Sequence, residues 1–321
     1  MDNLCHTLAG AALAESGLAR RTAMGYATLL IAANLPDIDV LAYIHGPEAA
    51  LYWRRGWTHG VVALVILPLL LTLALLLLET MSRKLSSAVL PSRMRPGQVL
   101  LLAYAGVLSH PLLDSLNTYG VHWLLPWSRH WTYGDALFII DPWMILVLSL
   151  GVWASRAQRR SRQRNVTPER PARLALAVTL AYIVAMLGSG HAAAADAGRE
   201  LQARFPGAIQ RVMAAPVFLN PFRRDIVLQQ GDVYRTARFD WLRRPHVSPA
   251  SVQSFSAVPP TLPAVTTATA SLRGREFLSW ARFPTFSVDS SAGRYTVHII
   301  DLRYARRPDA RFGVVRLGAV R

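Results

Sequence analysis

The chain has 321 residues, enough for two domains, and 52% of them are hydrophobic. Its mean hydropathy is positive, and Leu- and Ala-rich runs fill residues 1–195, which argues against a wholly soluble protein. Arginine carries almost all of the net charge of +16. Much of that charge lies in two short loops between apolar segments, which disfavours nucleic-acid binding because such binding needs a basic face on a soluble domain. Cys5 is the only cysteine, so no intrachain disulfide forms.

Six apolar segments follow one another in the first part of the chain. The clearest, residues 57–78, has about the ~20 apolar residues that a helix needs to cross a bilayer. Residues 4–19 and 22–35 are shorter and predict a tilted, partly inserted hairpin. Further spans are predicted at residues 99–116, 136–154 and 173–190.

The arginines between these segments predict the orientation of the chain. The loops 81–97 and 155–173 are strongly basic, and Arg20-Arg21 would lie on their side, so all three should be cytoplasmic. Arg54-Arg55 falls on the opposite side and is outnumbered. With this topology one group of residues falls at the outer ends of the segments, namely His6, Asp37, Asp39, His59, Asp114 and Asp141, with His110 one turn deeper.

His110 and Asp114 interrupt an otherwise apolar segment at a spacing of four residues. That spacing places both side chains on one face of a helix. Ionisable groups at membrane depth usually have a function, and an imidazole with a carboxylate is a metal-ligand pair. We therefore expect this pair to belong to a metal site.

The remaining residues of the outer group extend that site. We predict one divalent ion held by Asp37, His59, His110 and Asp114, and a second held by His6 with a bridging carboxylate from Asp114 or Asp39. Two ions would clamp a phosphoryl group and activate water, with Asp39 or Asp141 orienting the water or acting as general base. Zn²⁺ suits these ligands best, and Mn²⁺ or Fe²⁺ would also fit.

Several of these residues have a plainer interpretation. Asp37 and Asp39 follow Pro36 and could cap a helix, His59 could be an interfacial residue, and Asp141 could begin a helix or turn. His122 and His130 lie in a Trp-rich outer loop, and tryptophan favours the membrane interface. We therefore expect these two histidines at the surface rather than in the site.

Residues 191–321 form a separate domain with mainly β character. Strands are predicted at 224–229 and 233–241 around Gln230-Gly231-Asp232, at 276–288 and 294–304, and at 311–320. Residues 248–270 are rich in Ser, Pro and Thr and predict a loop or linker. The fold class is thus a polytopic α-helical membrane domain, residues 1–190, followed by a mainly β extracytoplasmic domain. The arginines of this second domain either form an ordinary solvated surface or attract anionic lipid head groups.

Several motifs resemble one family of bacterial inner-membrane metal-dependent hydrolases, sometimes described as associated with the SOS repressor. The resemblance covers about residues 1–155 and implies a multi-pass inner-membrane protein with a hydrolase site. The motifs that carry it are His6-Thr7-Leu8-Ala9-Gly10, Leu35-Pro36-Asp37-Ile38-Asp39, Arg55-Gly56-Trp57-Thr58-His59-Gly60, Ser109-His110-Pro111-Leu112-Leu113-Asp114, Asn117-Thr118-Tyr119-Gly120 and Ile140-Asp141-Pro142.

The order of the ligands is also similar, more distantly, to the all-helical zinc phospholipase C and P1-type nuclease group. That resemblance implies that Asp114 bridges two zinc ions and that the substrate is a phosphodiester. The further His and Glu ligands of the group have no convincing match here, and only His122 and Asp141 are candidates.

Together these patterns predict a metal-dependent hydrolase at the outer, periplasmic face of the inner membrane, with the C-terminal domain on the same side. Its substrate would be a phosphoester or a lipid-linked molecule, and membrane lipids rather than nucleic acid would be its partners. The alternative is a non-catalytic membrane scaffold whose metal site only joins helices. A transporter ranks lower, because the inner halves of the spans carry almost no polar residues.

Overall fold

A computed structural model describes residues 1–46, 52–85, 93–161, 166–291 and 294–320. The chain divides into two compact units. The first consists of residues 1–42 and 53–185, and the second consists of residues 43–52 and 186–321. Parts of the two predicted basic loops, residues 86–92 and 162–165, lie outside the described residues.

The first unit is helical. Its first helix, α1 (Asn3–Glu15), starts where the side chain of Asp2 accepts a hydrogen bond from the backbone N–H of Cys5. The second, α2 (Gly25–Asn34), continues directly into a 3-10 helix, Leu35–His45. The other helices are α3 (Val61–Leu85), α4 (Pro96–Asp114), α5 (Pro142–Arg160) and α6 (Arg170–Arg204).

Four helical stretches in the described part are long and apolar enough to cross a membrane: Gly25–His45, Val61–Leu85, Pro96–Asp114 and Arg170–Arg204. The stretch Gly25–His45 is longer than the predicted segment 22–35, because the 3-10 helix extends α2. In contrast, α1 has 13 residues and is roughly 20 Å long, short of the ~30 Å hydrocarbon core. The predicted span 136–154 is not among these four stretches, because its helix starts only after Asp141, which caps it, and ends in arginines.

The 3-10 helix Leu35–His45 buries its acids and exposes its apolar side chains. Asp37 and Asp39 are buried, whereas Ile38, Val40 and Ile44 are each at least 49% exposed. A helix in water would show the opposite pattern. The arrangement suits a helix with lipid outside and a polar site inside.

Close helix packing brings the polar residues of the first unit together. A Cβ atom at Gly106 of α4 would come within 2.5 Å of the Cβ of Ala32 on α2, and one at Gly10 of α1 would come within 2.9 Å of the Cβ of Ala33. The absence of side chains at these two glycines lets α1 and α4 approach α2. His6 and His110 each lie one turn from their glycine and are carried towards each other.

The second unit contains two antiparallel sheets. One has the strand order β1-β2-β3-β4 and the other the order β5-β6-β7. The C-terminal part of α6 packs against the first sheet through Ala193, Ala197 and Leu201. The strands are β1 (Ile209–Val217), β2 (Asn220–Gln230), β3 (Val233–Asp240), β4 (Gln253–Ser256), β5 (Pro284–Ser291), β6 (Arg294–Asp301) and β7 (Val314–Val320).

The predicted hairpin around Gly231 is confirmed by the pairing of β2 with β3, and β6 and β7 lie inside the predicted strands 294–304 and 311–320. Two predictions for the second unit are wrong. The predicted linker 248–270 contains β4 and a helix, α7 (Pro263–Ala270). The predicted strand 276–288 begins inside another helix, α8 (Leu272–Trp280), and only β5 is extended.

The physical reason for the second error lies at the start of α8. The side chain of Ser271 accepts a hydrogen bond from the backbone N–H of Gly274, and Phe277 and Trp280 are buried three residues apart on one helix face. The connection between the predicted strands 276–288 and 294–304 falls partly outside the described residues, at 292–293.

Candidate metal centre

Four side chains predicted to share one ion converge in the first unit. One ligand atom from each lies within 4.8 Å of the others, and all four residues are buried: Asp37, His59, His110 and Asp114. The 3-10 helix provides Asp37, the turn before α3 provides His59, and α4 provides His110 and Asp114 at the i, i+4 spacing. Such a group could hold a metal ion.

The distances within the group fit a small divalent ion. His59 Nε2 lies 3.4 Å from Asp114 Oδ2 and 3.9 Å from Asp37 Oδ1. His110 Nε2 lies 3.6 Å from Asp37 Oδ1 and 3.8 Å from Asp114 Oδ2. Ligands bound at about 2.0–2.1 Å around a tetrahedral ion lie roughly 3.3–3.4 Å apart. These four distances are slightly longer than that, and every separation within the group is at most 4.8 Å.

Hydrogen bonds at the opposite ring nitrogens orient both imidazoles. His110 Nδ1 donates to the carbonyl oxygen of Ala33 at 2.7 Å. His59 Nδ1 lies 3.3 Å from Asp39 Oδ2 and 2.9 Å from the hydroxyl of Thr58, which itself donates to Asp39. Because a carbonyl or carboxylate oxygen only accepts, both rings carry their proton on Nδ1 and present a lone pair at Nε2.

Those two lone pairs point into the cage. Within the described part of the chain, neither His59 Nε2 nor His110 Nε2 has a hydrogen-bond partner, although both atoms are buried. A buried polar atom without a partner is costly. Burial also lowers the pKa of His59, which precedes α3, to about 4, and its hydrogen bond with Asp39 opposes this shift. The ring is therefore neutral at physiological pH, as a metal ligand must be.

Asp39 supports the cage from outside. Its Oδ2 accepts hydrogen bonds from the backbone N–H of Arg55 at 2.8 Å and from the hydroxyl of Thr58 at 3.1 Å, and it faces His59 Nδ1. A carboxylate behind a metal-binding histidine fixes the ring and raises its basicity. The position of Asp39 thus fits a residue that positions His59.

His6 contacts the group from α1. Its ring stacks on that of His110 with 3.6 Å between centroids, and its Nε2 donates to Asp114 Oδ1 at 3.2 Å. The same oxygen accepts a hydrogen bond from Arg55 Nη2 at 3.2 Å and contacts the Met1 amine. Two side-chain donors, from His6 and Arg55, therefore already engage the oxygen through which Asp114 would bridge to a second ion.

The arginine pair that opposed the predicted topology belongs to the site. Arg55 is buried, its Nε lies 3.0 Å from Asp114 Oδ2, and its Nη1 donates to Asn117 Oδ1 at 2.9 Å. Arg54 Nη2 lies 3.4 Å from Asp37 Oδ1. The sequence interpretation missed Arg54, Arg55 and Asn117 as site residues. The signal available was the pair itself, which placed positive charge where the topology disfavoured it.

Asp141 has other contacts. Its Oδ1 accepts from the backbone N–H groups of Trp143 and Met144 at the start of α5, and its Oδ2 accepts from the hydroxyl of Tyr182 at 3.1 Å. The structure thus shows Asp141 as a helix cap.

His122 is buried rather than exposed, because its ring packs on Trp131 with 3.7 Å between centroids. Burial lowers its pKa. It does not belong to the group of four.

Comparison with known proteins adds the family. Residues 1–193 match the family described as YdjM inner membrane protein. The chain belongs to this family. The YdjM match contains all four residues of the cage together with His6, Asp39 and Arg55, whereas most of the second unit lies beyond it. No curated protein and no solved structure matches the chain.

Proposed function

We propose that this YdjM family protein is a metal-dependent hydrolase of the inner membrane, acting on a phosphoester, in a lipid or a lipid-linked molecule. The observation that carries the proposal is the cage of Asp37, His59, His110 and Asp114, with two buried imidazole lone pairs directed into it. Mixed His and carboxylate donors are the ligands of zinc hydrolases.

Neighbouring residues of the chain hold the proposed ligands in place. Ala33 and Asp39 hold the two rings with Nε2 inward, so binding requires little reorganisation. Arg55 contacts both oxygens of Asp114 and is itself held by Asn117 Oδ1. A bound divalent ion would polarise a phosphoryl oxygen and lower the pKa of a water molecule.

Arg54 is the proposed contact for the anionic substrate. Its side chain is 23% exposed while its guanidinium reaches Asp37 and Asp39. An arginine between a carboxylate site and its surroundings can bind phosphoryl oxygens through paired N–H donors. We therefore place the phosphate of the substrate beside Arg54.

One ion fits this arrangement better than two. The second ion predicted from sequence would need Asp114 Oδ1, which already accepts hydrogen bonds from His6 Nε2 and Arg55 Nη2. In the one-ion proposal His6 positions Asp114 and His110. Either Asp39 or Asp141 was predicted to orient water or act as base, and the contacts of Asp39 favour it over Asp141 for a role at the site.

The periplasmic placement of the site and of the second unit rests on the basic loops. Arg54-Arg55 was the exception to that assignment, but both arginines pair with site carboxylates. They are thus explained by the site, and the remaining loop arginines predict one orientation.

The proposal is tested by hydrolysis with full-length protein purified in detergent without chelator and loaded with Zn²⁺ or Mn²⁺. Bis(p-nitrophenyl) phosphate and anionic phospholipids serve as substrates. We expect turnover that His110→Ala abolishes and that the buried control His122→Ala leaves in place. The proposal would be refuted if the parent and His110→Ala were equally active. It would also be refuted if the metal-loaded parent hydrolysed neither substrate.

A structural metal site is the second candidate, and the burial of all four donors favours it. A structural ion has four protein ligands and no open position. Removing the ion would then unfold the first unit, whereas a catalytic site would lose activity and stay folded. Thermal unfolding before and after chelation separates the two.

A further inference from the structure

Large apolar side chains and arginines are exposed at one end of the first sheet, where β1 ends, β2 begins and β3 ends. Phe218, Leu219, Phe222 and Leu242 are 48%, 54%, 50% and 74% exposed. Phe218 and Leu219 form the β1–β2 turn, and Leu242 follows β3. The backbone N–H of Trp241 donates to the carbonyl of Phe222 at 3.0 Å, so the two segments are neighbours. We call these four side chains the apolar tip.

The apolar tip lies beside a defined level of α6. Trp241 Nε1 donates to Ser189 Oγ at 2.9 Å, and the buried Arg224 donates from Nη2 to the carbonyl of Met186 at 2.9 Å. Met186 and Ser189 are less than one helical turn apart. They lie where the apolar run of this candidate span gives way to Gly188, Gly190 and His191.

The span predicted from sequence, residues 173–190, ends at that level, so we propose that the apolar tip inserts into the interfacial region of the bilayer. Trp241 suits that depth because its ring is apolar and its N–H is polar. Leu187 of α6, which belongs to the same unit as the tip, is 40% exposed. The lipid-facing surface of the helix and the tip then meet at one level.

Charge identifies the lipid as anionic. Arg223, Arg243 and Arg244 flank the tip, with Asp240 as the nearby acid. Arginines beside exposed apolar side chains are the composition of an interfacial lipid anchor.

The backbone supplies an independent observation. Leu219 has φ 63°, a left-handed conformation that is unfavourable for a bulky side chain and natural for Asn or Gly. If the residue only closed the hairpin, Asn or Gly would adopt this conformation with less strain than leucine. A leucine held there at 54% exposure is explained if the side chain enters lipid.

The test uses the full chain in bilayers rich in phosphatidylglycerol, with Cys5→Ala as background. Phe222→Cys and Leu242→Cys carry a fluorophore, and Asp232→Cys, exposed at the opposite end of the β2–β3 hairpin, is the control. We expect a nitroxide placed shallowly on the lipid chains to quench the two tip labels at least about three-fold more than the control, and aqueous iodide to show the reverse order. Zwitterionic bilayers should reduce the difference.

Equal quenching at all three labels would overturn the proposal. Protection from iodide without quenching by lipid would also overturn it, and would indicate a protein partner or a second copy. Leu219→Asn adds a separate criterion: it should weaken lipid quenching at residue 222 while leaving thermal stability equal or higher. If it lowered stability, Leu219 would serve the fold instead.

Discussion

Among the residues that the structure describes, two groups of His, Asp and Glu side chains have ligand atoms close together, and the groups differ in where their hydrogen bonds go. The first is the cage of Asp37, His59, His110 and Asp114. The second consists of Asp196 and Glu200 of α6 with His246, at intermediate burial. In the cage the two Nε2 atoms point inward without a partner in the described residues.

In the second group the carboxylate oxygens and one imidazole nitrogen already have partners within the protein. Glu200 Oε1 and Oε2 accept from the backbone N–H groups of His246 and Val247 at 2.9 and 2.8 Å. His246 Nδ1 contacts Asp196, whose other oxygen accepts from Arg199. Glu200 therefore holds a loop in place, and both oxygens of Asp196 are engaged, one by His246 and the other by Arg199. Proximity alone does not make a metal site, because the lone pairs must also be free.

The largest expected effect comes from Asp114→Asn. The substitution removes a ligand and leaves the buried guanidinium of Arg55 without its carboxylate, which costs about 3–5 kcal/mol. We expect a clearly lower unfolding temperature in detergent and loss of metal binding. The matched control is Asp240→Asn, whose partners Arg223 and Arg243 are exposed. It should cost less than about 1 kcal/mol, and an equal loss in both variants would refute the distinction.

Asp39→Asn should have the next largest effect, because it removes the carboxylate behind His59. We expect metal affinity to fall about 10- to 100-fold, measured by competition with a chelating dye. Asp141→Asn is the control, since it weakens the cap of α5 and should leave affinity unchanged. If Asp141→Asn lowered affinity as much as Asp39→Asn, the assignment of Asp141 as a cap would be incomplete.

Glu200→Ala should have the smallest effect, and it tests whether the second group is purely structural. It removes the acceptor of two backbone N–H groups, at a cost of about 1–2 kcal/mol, visible as a lower thermal unfolding midpoint. Metal content should not change. A loss of bound metal in this variant would show that the second group binds an ion after all.

Much of the cage could be predicted from the sequence, because its signals are local. His110 and Asp114 share a helix face by spacing, and each other ligand interrupts an apolar segment at a boundary. The arginine pattern then placed those boundaries on one side. The structure brings the four predicted ligands within 4.8 Å.

The contacts of Arg55 could not be predicted in the same way. Its side chain reaches Asp114, 59 residues away, and Asn117, and its left-handed backbone at φ 52° follows no local signal. The approach of α4 to α2 likewise depends on Gly106 meeting Ala32, which is a property of two helices together.

The second unit was predicted less well for a related reason. The β2–β3 hairpin could be predicted because it has a glycine turn between two regular strands. Helices α7 and α8 are eight and nine residues long, too short for a clear apolar period. Their burial of Val265, Phe277 and Trp280 comes from tertiary packing.

Whether the cage binds a metal ion is tested by elemental analysis of the full chain, supplied with Zn²⁺, Mn²⁺ and Fe²⁺ and purified without chelator. The parent is compared with His59→Ala/His110→Ala, which empties the cage of its imidazoles, and with His246→Ala, which alters the second group. We predict about one equivalent of metal in the parent and in His246→Ala, and none in the double variant. Metal retained by the double variant, or lost from His246→Ala, would contradict the account.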